Sequence, residues 1–208
     1  MKVSDYIAQF IAEQKVKYVF GITGGGILHL FDSINKRQDV SYVCTQHEQA
    51  AAMSADAYSR VTGNIGVAIS TSGPGATNLL TGVCCSYYDS VPLLCITGQV
   101  STLRLKKNTG VRQLGFQETD TVDIFKPVTK YAVMVQTAKD IRYELEKAVY
   151  IAKTGRPGPV LVDIPDNIQR DTINLTELVS FVPPNERVDL PTVSLRIGEC
   201  KDLIEQSY

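Results

Sequence analysis

The sequence predicts an α/β domain built as a doubly wound parallel sheet with helices on both faces. Short runs rich in β-branched and apolar residues alternate with segments of helical period along the first ~165 residues, the pattern of strands buried on both sides. Glycine-rich turns follow two of those runs and open the next helix. The length of 208 residues suffices for one sizeable core and a tail, and is short for two ordinary domains. Taken in order, Ser4 is placed to cap a first helix carrying Tyr6, Ile7, Phe10 and Ile11 at helical spacing. Tyr18 to Ile22 reads as a strand, and the glycine loop after it opens a second helix. Tyr42-Val43-Cys44 is the next strand, and Glu48 to Arg60 a helix stopped by Thr62-Gly63-Asn64. Gly66 to Thr71 is a buried strand that runs into Ser72-Gly73-Pro74-Gly75, followed by a helix over Ala76 to Tyr88 and a strand over Pro92 to Thr97. A long helix, Lys139 to Lys153, and a last strand, Val160 to Ile164, complete the repeat.

Two segments fall outside that alternation. Gly98 to Gly115 has no clear period, carries Arg104, Lys106, Lys107 and Arg112, and is longer than most connections inside a compact domain, which marks a functional or mobile loop. After Pro165 the composition shifts toward Asn, Glu and Pro, and Pro183-Pro184-Asn185 through Pro191 reads as an interdomain linker. Leu195 to Tyr208 begins a helical pattern that stops without a cap. The expected organisation is a domain over 1–170, a linker over 171–194, and over 195–208 the start of a middle domain whose remainder is cut away.

Composition excludes several classes of function. The 21 basic and 22 acidic residues nearly balance, and no Lys/Arg cluster is flanked by spaced aromatics, so nucleic acid is not an expected partner. Apolar runs stop short of the roughly 18 to 20 residues that span a bilayer, and Met1 to Asp5 opens an amphipathic helix rather than a signal peptide, so no membrane association and a cytoplasmic location are expected. The five cysteines form no C-x-x-C pair and mostly lie in apolar segments, where a thiol behaves as a small hydrophobe. With only His29 and His47 present, a multi-histidine metal centre is not expected.

The candidate for chemistry is Glu48, in His47-Glu48-Gln49 ahead of Ala50-Ala51-Ala52 at the mouth of a helix. A structural role competes with it: Thr45-Gln46-His47-Glu48 fits a T-x-x-E capping box, worth on the order of 1 kcal/mol. Gly24-Gly25-Gly26 does not have the spacing of a dinucleotide fingerprint, and no acidic residue ends a strand about 20 residues on. Ser72-Gly73-Pro74-Gly75 lacks the Lys-Ser/Thr ending of a phosphate loop. Both loops read instead as places where backbone must approach a flat ligand or a partner chain closely.

Taken together and in order, the motifs resemble the pyrimidine-binding N-terminal domain of thiamine-diphosphate enzymes, and acetolactate synthase in particular, over about residues 1–170. The resemblance rests on Phe20-Gly21 with Gly24-Gly25, His47-Glu48-Gln49 with Ala51-Ala52, Ala57-Tyr58-Ser59-Arg60 with Thr62-Gly63, and Thr71 through Asn78. It continues through Asp89-Ser90-Val91-Pro92, Thr97-Gly98-Gln99-Val100, Phe116-Gln117-Glu118 and Gly155 to Val160. It implies thiamine diphosphate as cofactor, with the family's glutamate matched by Glu48, which hydrogen-bonds N1′ of the aminopyrimidine and promotes the imino tautomer that takes the thiazolium C2 proton. It implies that Thr23, Gly24, Gly25, Thr71, Pro74 and Asn78 line the pyrimidine side and that Phe116 and Gln117 face the thiazolium and substrate. Thr71 and Asn78 fit ordinary capping and loop bonding equally well, and His47 fits a cover for the helix start.

The resemblance further implies a 2-oxo acid substrate such as pyruvate, and a homodimer or homotetramer with the site between subunits. The second subunit would supply a diphosphate-binding domain with a G-D-G motif and Mg²⁺ ligands; this sequence contains no G-D-G, so no metal is expected on this chain. FAD in a middle domain is compatible with it. Two departures bear on the substrate: Thr23 stands where acetolactate synthases usually have proline, and the loop from Gly98 to Phe116 is longer and more basic than usual. Those basic residues fit either an acidic or phosphorylated substrate or a solvated loop face. The rival readings are a non-catalytic subunit-assembly domain of the same fold, a different thiamine-diphosphate lyase with a larger or acidic substrate, and a nicotinamide-dependent oxidoreductase.

Overall fold

The computed structural model describes residues 1–185 and 190–207. Its strands are β1 (Tyr18–Gly21), β2 (Ser41–Cys44), β3 (Gly66–Ser70), β4 (Leu93–Gln99), β5 (Tyr131–Met134) and β6 (Pro159–Pro165). Its helices are α1 (Val3–Glu13), α2 (Leu28–Asn35), α3 (Glu48–Thr62), α4 (Pro74–Tyr88), α5 (Thr121–Phe125), α6 (Ile141–Lys153), α7 (Asp166–Arg170) and α8 (Leu190–Gln206). The six strands form one sheet in the order β2-β1-β3-β4-β6-β5, with every neighbouring pair parallel.

Side chains of a strand alternate between faces, and the two faces here are of different character. Val67, Ile69, Leu94, Ile96, Val160, Val162 and Ile164 turn toward α1, α2 and α6, in a core of large aliphatic residues. Ala68, Leu93, Cys95 and Leu161 turn toward α3, α4 and α5, where Ala51, Ala52 and Ala55 line the buried side of α3. Those small residues let α3 lie close to its neighbours. A Cβ at Gly66 would stand 2.0 Å from the Ala55 carbonyl oxygen, and one at Gly82 2.5 Å from the Ala52 Cβ. The close seat of α3 fixes where its first residue, Glu48, comes to rest.

The doubly wound fold and the strands and helices expected from the sequence are found, with three additions and shifted starts for α1, α4, α6 and α8. β5, α5 and α7 carried no sequence assignment. Ser4 does not cap α1; the helix begins at Val3 after Lys2, which makes no side-chain cap bond. Instead, Lys2 forms an antiparallel bridge with Thr172, and the Val3 N–H donates to the Asp171 carbonyl at 2.9 Å. Ser4, freed from capping, is buried and accepts a hydrogen bond from Ser33 Oγ at 2.9 Å. Chain beyond residue 170 stays on the domain: Ile173 and Leu178 join the larger core, and the Phe181 ring meets Tyr143 and Tyr150. Of the expected linker, residues 186–189 lie outside the described residues, and α8 starts at Leu190. No helix among the described residues is long and apolar enough to cross a membrane.

Candidate active site

In an open parallel sheet a crevice forms at the carboxyl ends of the strands where the chain's winding reverses direction. From β1 the chain moves outward to the edge strand β2, then returns across β1 to β3 and onward to β4, so the reversal lies between β1 and β3. The loops leaving those two strands are the glycine loop Gly24-Gly25-Gly26 and the segment Thr71 to Gly75. They interlock directly. The Gly26 N–H donates to Thr71 Oγ1 at 3.1 Å, and a Cβ at Gly24 would stand 2.6 Å from the Thr71 Cβ. Thr71 is also why position 75 is glycine, since a Cβ there would meet Thr71 Cγ2 at 2.7 Å and Glu48 Oε1 at 3.3 Å. Pro74 sits in the first turn of α4, where its missing N–H costs nothing, and faces solvent.

Glu48 opens α3 and is 8% exposed. The expected capping box is absent. His47 is the N-cap, its Nδ1 accepting from the Gln49 N–H at 3.2 Å, and Thr45 Oγ1 instead donates to the His47 carbonyl at 2.9 Å. Because the helix starts at Glu48 and not two residues earlier, its carboxylate cannot reach back to cap and projects toward α4. There Asn78 Nδ2 donates to Oε2 at 2.9 Å. No hydrogen bond reaches Oε1 from the described residues, so a nearly buried carboxyl group keeps one oxygen uncommitted at the crevice.

The third wall comes from the loop after β4. Glu118, 7% exposed, accepts backbone N–H bonds from Lys106 at 2.6 Å, Leu114 at 2.8 Å and Gly115 at 3.3 Å, so one buried carboxylate gathers the loop. The loop then presents Phe116 outward, 84% exposed, and holds Gln117 at φ 62°, a region that favours glycine. Gln117 lies against Gly73, itself at φ 62°, where a Cβ would stand 2.9 Å from the Gln117 Cβ. Phe116 and Gln117 thus line a cavity of about 470 Å³ together with Gly25, Gly26 and Ser72. Of the residues singled out from the sequence, Gly24, Thr71, Gly75, Glu48 and Asn78 form one connected cluster, and Gly25, Phe116 and Gln117 surround the neighbouring cavity. Thr23 lies exposed at the loop's outer edge.

Sequence reasoning missed three supporting residues. Gln169, fully buried on α7, donates to the Gly26 carbonyl at 2.6 Å and the Ile164 carbonyl at 2.9 Å, pinning the glycine loop from behind. Asp163 on β6 accepts from Thr97 Oγ1 at 2.7 Å and Gln99 Nε2 at 2.9 Å. Burial pushes its carboxyl up to about 7 despite those two bonds. Glu118, quoted only as part of a motif, is the anion around which the loop folds. A polar residue inside an apolar strand, as Asp163 is in Val160 to Ile164, is a signal that could have found one of the other two.

These features define a thiamine-diphosphate-binding fold, and comparison with known proteins agrees: the chain belongs to the family described as thiamine pyrophosphate enzyme, N-terminal TPP binding domain, which matches residues 1–124. Among individual relatives it is similar to acetolactate synthase large subunits. It is 40% identical to that of Haemophilus influenzae over 206 residues, covering 97% of this chain and 34% of the relative. It is 41% identical to that of Lactococcus lactis over 175 residues (84% and 29%), and 43% identical to that of Corynebacterium glutamicum over 185 (89% and 28%). The chain thus spans about a third of the length of the relatives it matches.

Proposed function

We propose that the chain is the pyrimidine-binding part of a thiamine-diphosphate-dependent carboligase or decarboxylase acting on pyruvate or another 2-oxo acid, with Glu48 as the residue that activates the aminopyrimidine. The observation that carries this reading is the Glu48 carboxylate, 8% exposed, with Oε2 tied to Asn78 and Oε1 uncommitted at the reversal crevice. The residues present fit the cofactor's pyrimidine: an acceptor oxygen in a water-poor setting, a glycine at position 25 whose Cβ would meet nothing within 4 Å, and a second loop drawn back by Thr71. Thiamine diphosphate, when bound, supplies the carbon nucleophile that adds to the carbonyl and the electron sink that lets carbon dioxide leave.

The protein's part is orientation and proton control. With the pyrimidine bound, Oε1 of Glu48 would share a proton with the ring nitrogen N1′, giving it toward the ring; low dielectric strengthens that bond, and Asn78 keeps the carboxyl group from rotating away. Gly24, Gly25, Thr71 and Pro74 shape the slot, Thr23 its edge, and Phe116 and Gln117 the substrate side. The diphosphate and its Mg²⁺ belong to a domain outside this chain, contributed by a second subunit, so the working unit is a homodimer or homotetramer; FAD in the intact protein is compatible with this arrangement.

The test is an assay of the intact protein that carries this chain, for thiamine-diphosphate-dependent carbon dioxide release and acetolactate formation from pyruvate, with Glu48→Gln in parallel. Glutamine keeps the size but cannot share the proton, so turnover falls by about 10²-fold or more while the fold is kept. Retained turnover in the variant refutes the role of Glu48. Failure of the wild type to bind thiamine diphosphate favours the subunit-assembly reading.

A further inference from the structure

Among the described residues, no hydrogen bond or ion pair holds the side chain of Arg104, a cation beside the site. Arg37, Arg60, Arg142, Arg156, Arg170 and Arg196 each hydrogen-bond through the guanidinium to an acid, a hydroxyl or a carbonyl. Of the remaining described arginines, Arg104 and Arg112, only Arg104 lines the cavity that holds Phe116 and Gln117. The acid on that cavity's wall, Asp166, is already committed: it receives Arg170 at 2.8 Å and lies 3.4 Å from His29. A cation therefore borders a substrate-sized space beside the glycine loop, and no anion among the described residues pairs with it.

Its backbone is fixed in place. Arg104 closes the short 3-10 turn Thr102–Arg104, and Asn167 of α7 grips that turn twice, accepting from the Thr102 N–H at 2.9 Å and donating to Thr102 Oγ1 at 3.1 Å. The Arg104 N–H closes it onto the Ser101 carbonyl at 2.7 Å. Apolar surface flanks the cation, for Val100 and Leu103 share the cavity wall with Phe116, and Leu103 is 88% exposed. A cavity of about 470 Å³ with a mixed polar and apolar wall, lined by Arg104 and by an Arg170 already paired with Asp166, falls within the ~300–1,000 Å³ usual for small-molecule sites.

We infer that this cavity is the acceptor subsite and that Arg104 holds an anionic group, a carboxylate or a phosphate, of the carbonyl compound to which the activated fragment is transferred. The guanidinium fork matches both anions in two-point geometry, whereas an uncharged aldehyde offers it nothing. The inference rests on the functional reading above and narrows its substrate class to anionic acceptors, selected by a residue of the unusually basic loop.

The experiment uses the intact protein with pyruvate as donor and three acceptors: 2-oxobutyrate, glyceraldehyde 3-phosphate and propanal. In Arg104→Gln the ratio of kcat/KM for the preferred anionic acceptor to that for propanal falls about ten- to a hundredfold, chiefly through KM, and Arg104→Lys restores part of it. Which anionic acceptor shows the larger loss assigns the carboxylate or the phosphate. An unchanged ratio overturns the inference. Calorimetric titration of wild type and Arg104→Gln with oxamate and with inorganic phosphate decides the same point without catalysis: at least one anion binds the wild type about tenfold more tightly or better, and equal affinities for both anions overturn it. Absence of carbon dioxide release from pyruvate in the wild type would defeat the functional reading alone, since the titration still reports on Arg104.

Discussion

The hydrogen bond from Asn78 to Glu48 couples two helices to the proposed chemistry, and its removal has a calculable effect. Asn78 is on α4 and Glu48 on α3, and the bond spans 2.9 Å to a carboxylate that is 8% exposed. A hydrogen bond to a charged group contributes about 1.5–3 kcal/mol, and losing it leaves a nearly buried oxygen without its partner. At 1.36 kcal/mol per tenfold, Asn78→Ala should lower cofactor affinity by about ten- to a hundredfold. A double-mutant cycle isolates the pair: Asn78→Ala, Glu48→Ala and the double variant, each titrated calorimetrically with thiamine diphosphate and Mg²⁺ in the intact protein. Binding is the better readout because Glu48→Ala leaves little turnover to measure. In the Glu48→Ala background the Asn78 substitution should cost almost nothing, giving a coupling energy of about 1.5–3 kcal/mol. Losses that simply add, to within about 0.5 kcal/mol, would show that the bond does not act on the ligand.

Two further perturbations probe the scaffold behind the site. Gly98→Ala would place a Cβ 2.1 Å from the Gly26 carbonyl oxygen, a backbone atom that can yield only by moving the glycine loop; we expect about 1–3 kcal/mol of destabilisation in urea denaturation together with weakened cofactor binding, and unchanged values of both would contradict the packing described. Asp163 gives a pH signature, because its folded carboxyl sits at about 7 against an ordinary 3.8. Between those values the unfolded chain releases its proton while the folded chain keeps it, so this group's contribution to stability declines as pH rises through the window. The decline amounts to roughly 4 kcal/mol at most. Asp163→Asn removes that titration: its stability relative to wild type should rise from pH 4 to about pH 7 and then level off, and a constant difference across the range would show that Asp163 is not held protonated.

Local pattern revealed most of the sheet and missed what long-range contact decides. β1, β3, β4 and β6 announce themselves as apolar runs because a parallel strand buried on both faces tolerates little else. β5 is four residues long and only half-buried, and α5 and α7 have five residues each, too few to show a helical period. The insertion of β6 between β4 and β5 leaves no local trace, since strand order is set by which edges pair. Ser4 failed as a cap for a related reason: α1's first N–H, that of Val3, is met by the Asp171 carbonyl, where Lys2 pairs with Thr172 at the far end of the domain. Thr45 failed because the T-x-x-E spacing says where a helix could start, and His47 supplied a later start.

The site was legible through Glu48 and its glycine loops, yet the physical reason for the glycines differs from the one the sequence suggested. Read as sequence, they mark approach to a flat ligand or a partner chain. In the structure most of them serve the loops' approach to one another: Gly24 and Gly75 make room for Thr71, Gly98 for the Gly26 carbonyl, and Gly73 for Gln117. These contacts hold the β1 and β3 loops together at the reversal point; Gln169, at a position no motif distinguishes, and Glu118, the last residue of the Phe116-Gln117-Glu118 motif, complete the clamp. Gly25 is the exception in the crevice. A Cβ there would meet no atom of this domain within 4 Å, and its φ lies outside the left-handed range, so neither packing nor backbone geometry demands glycine at that position. On the function proposed above, glycine at 25 keeps that open space free for the pyrimidine, so Gly25→Ala should weaken thiamine-diphosphate binding in the intact protein without lowering stability, and unchanged binding would refute that role.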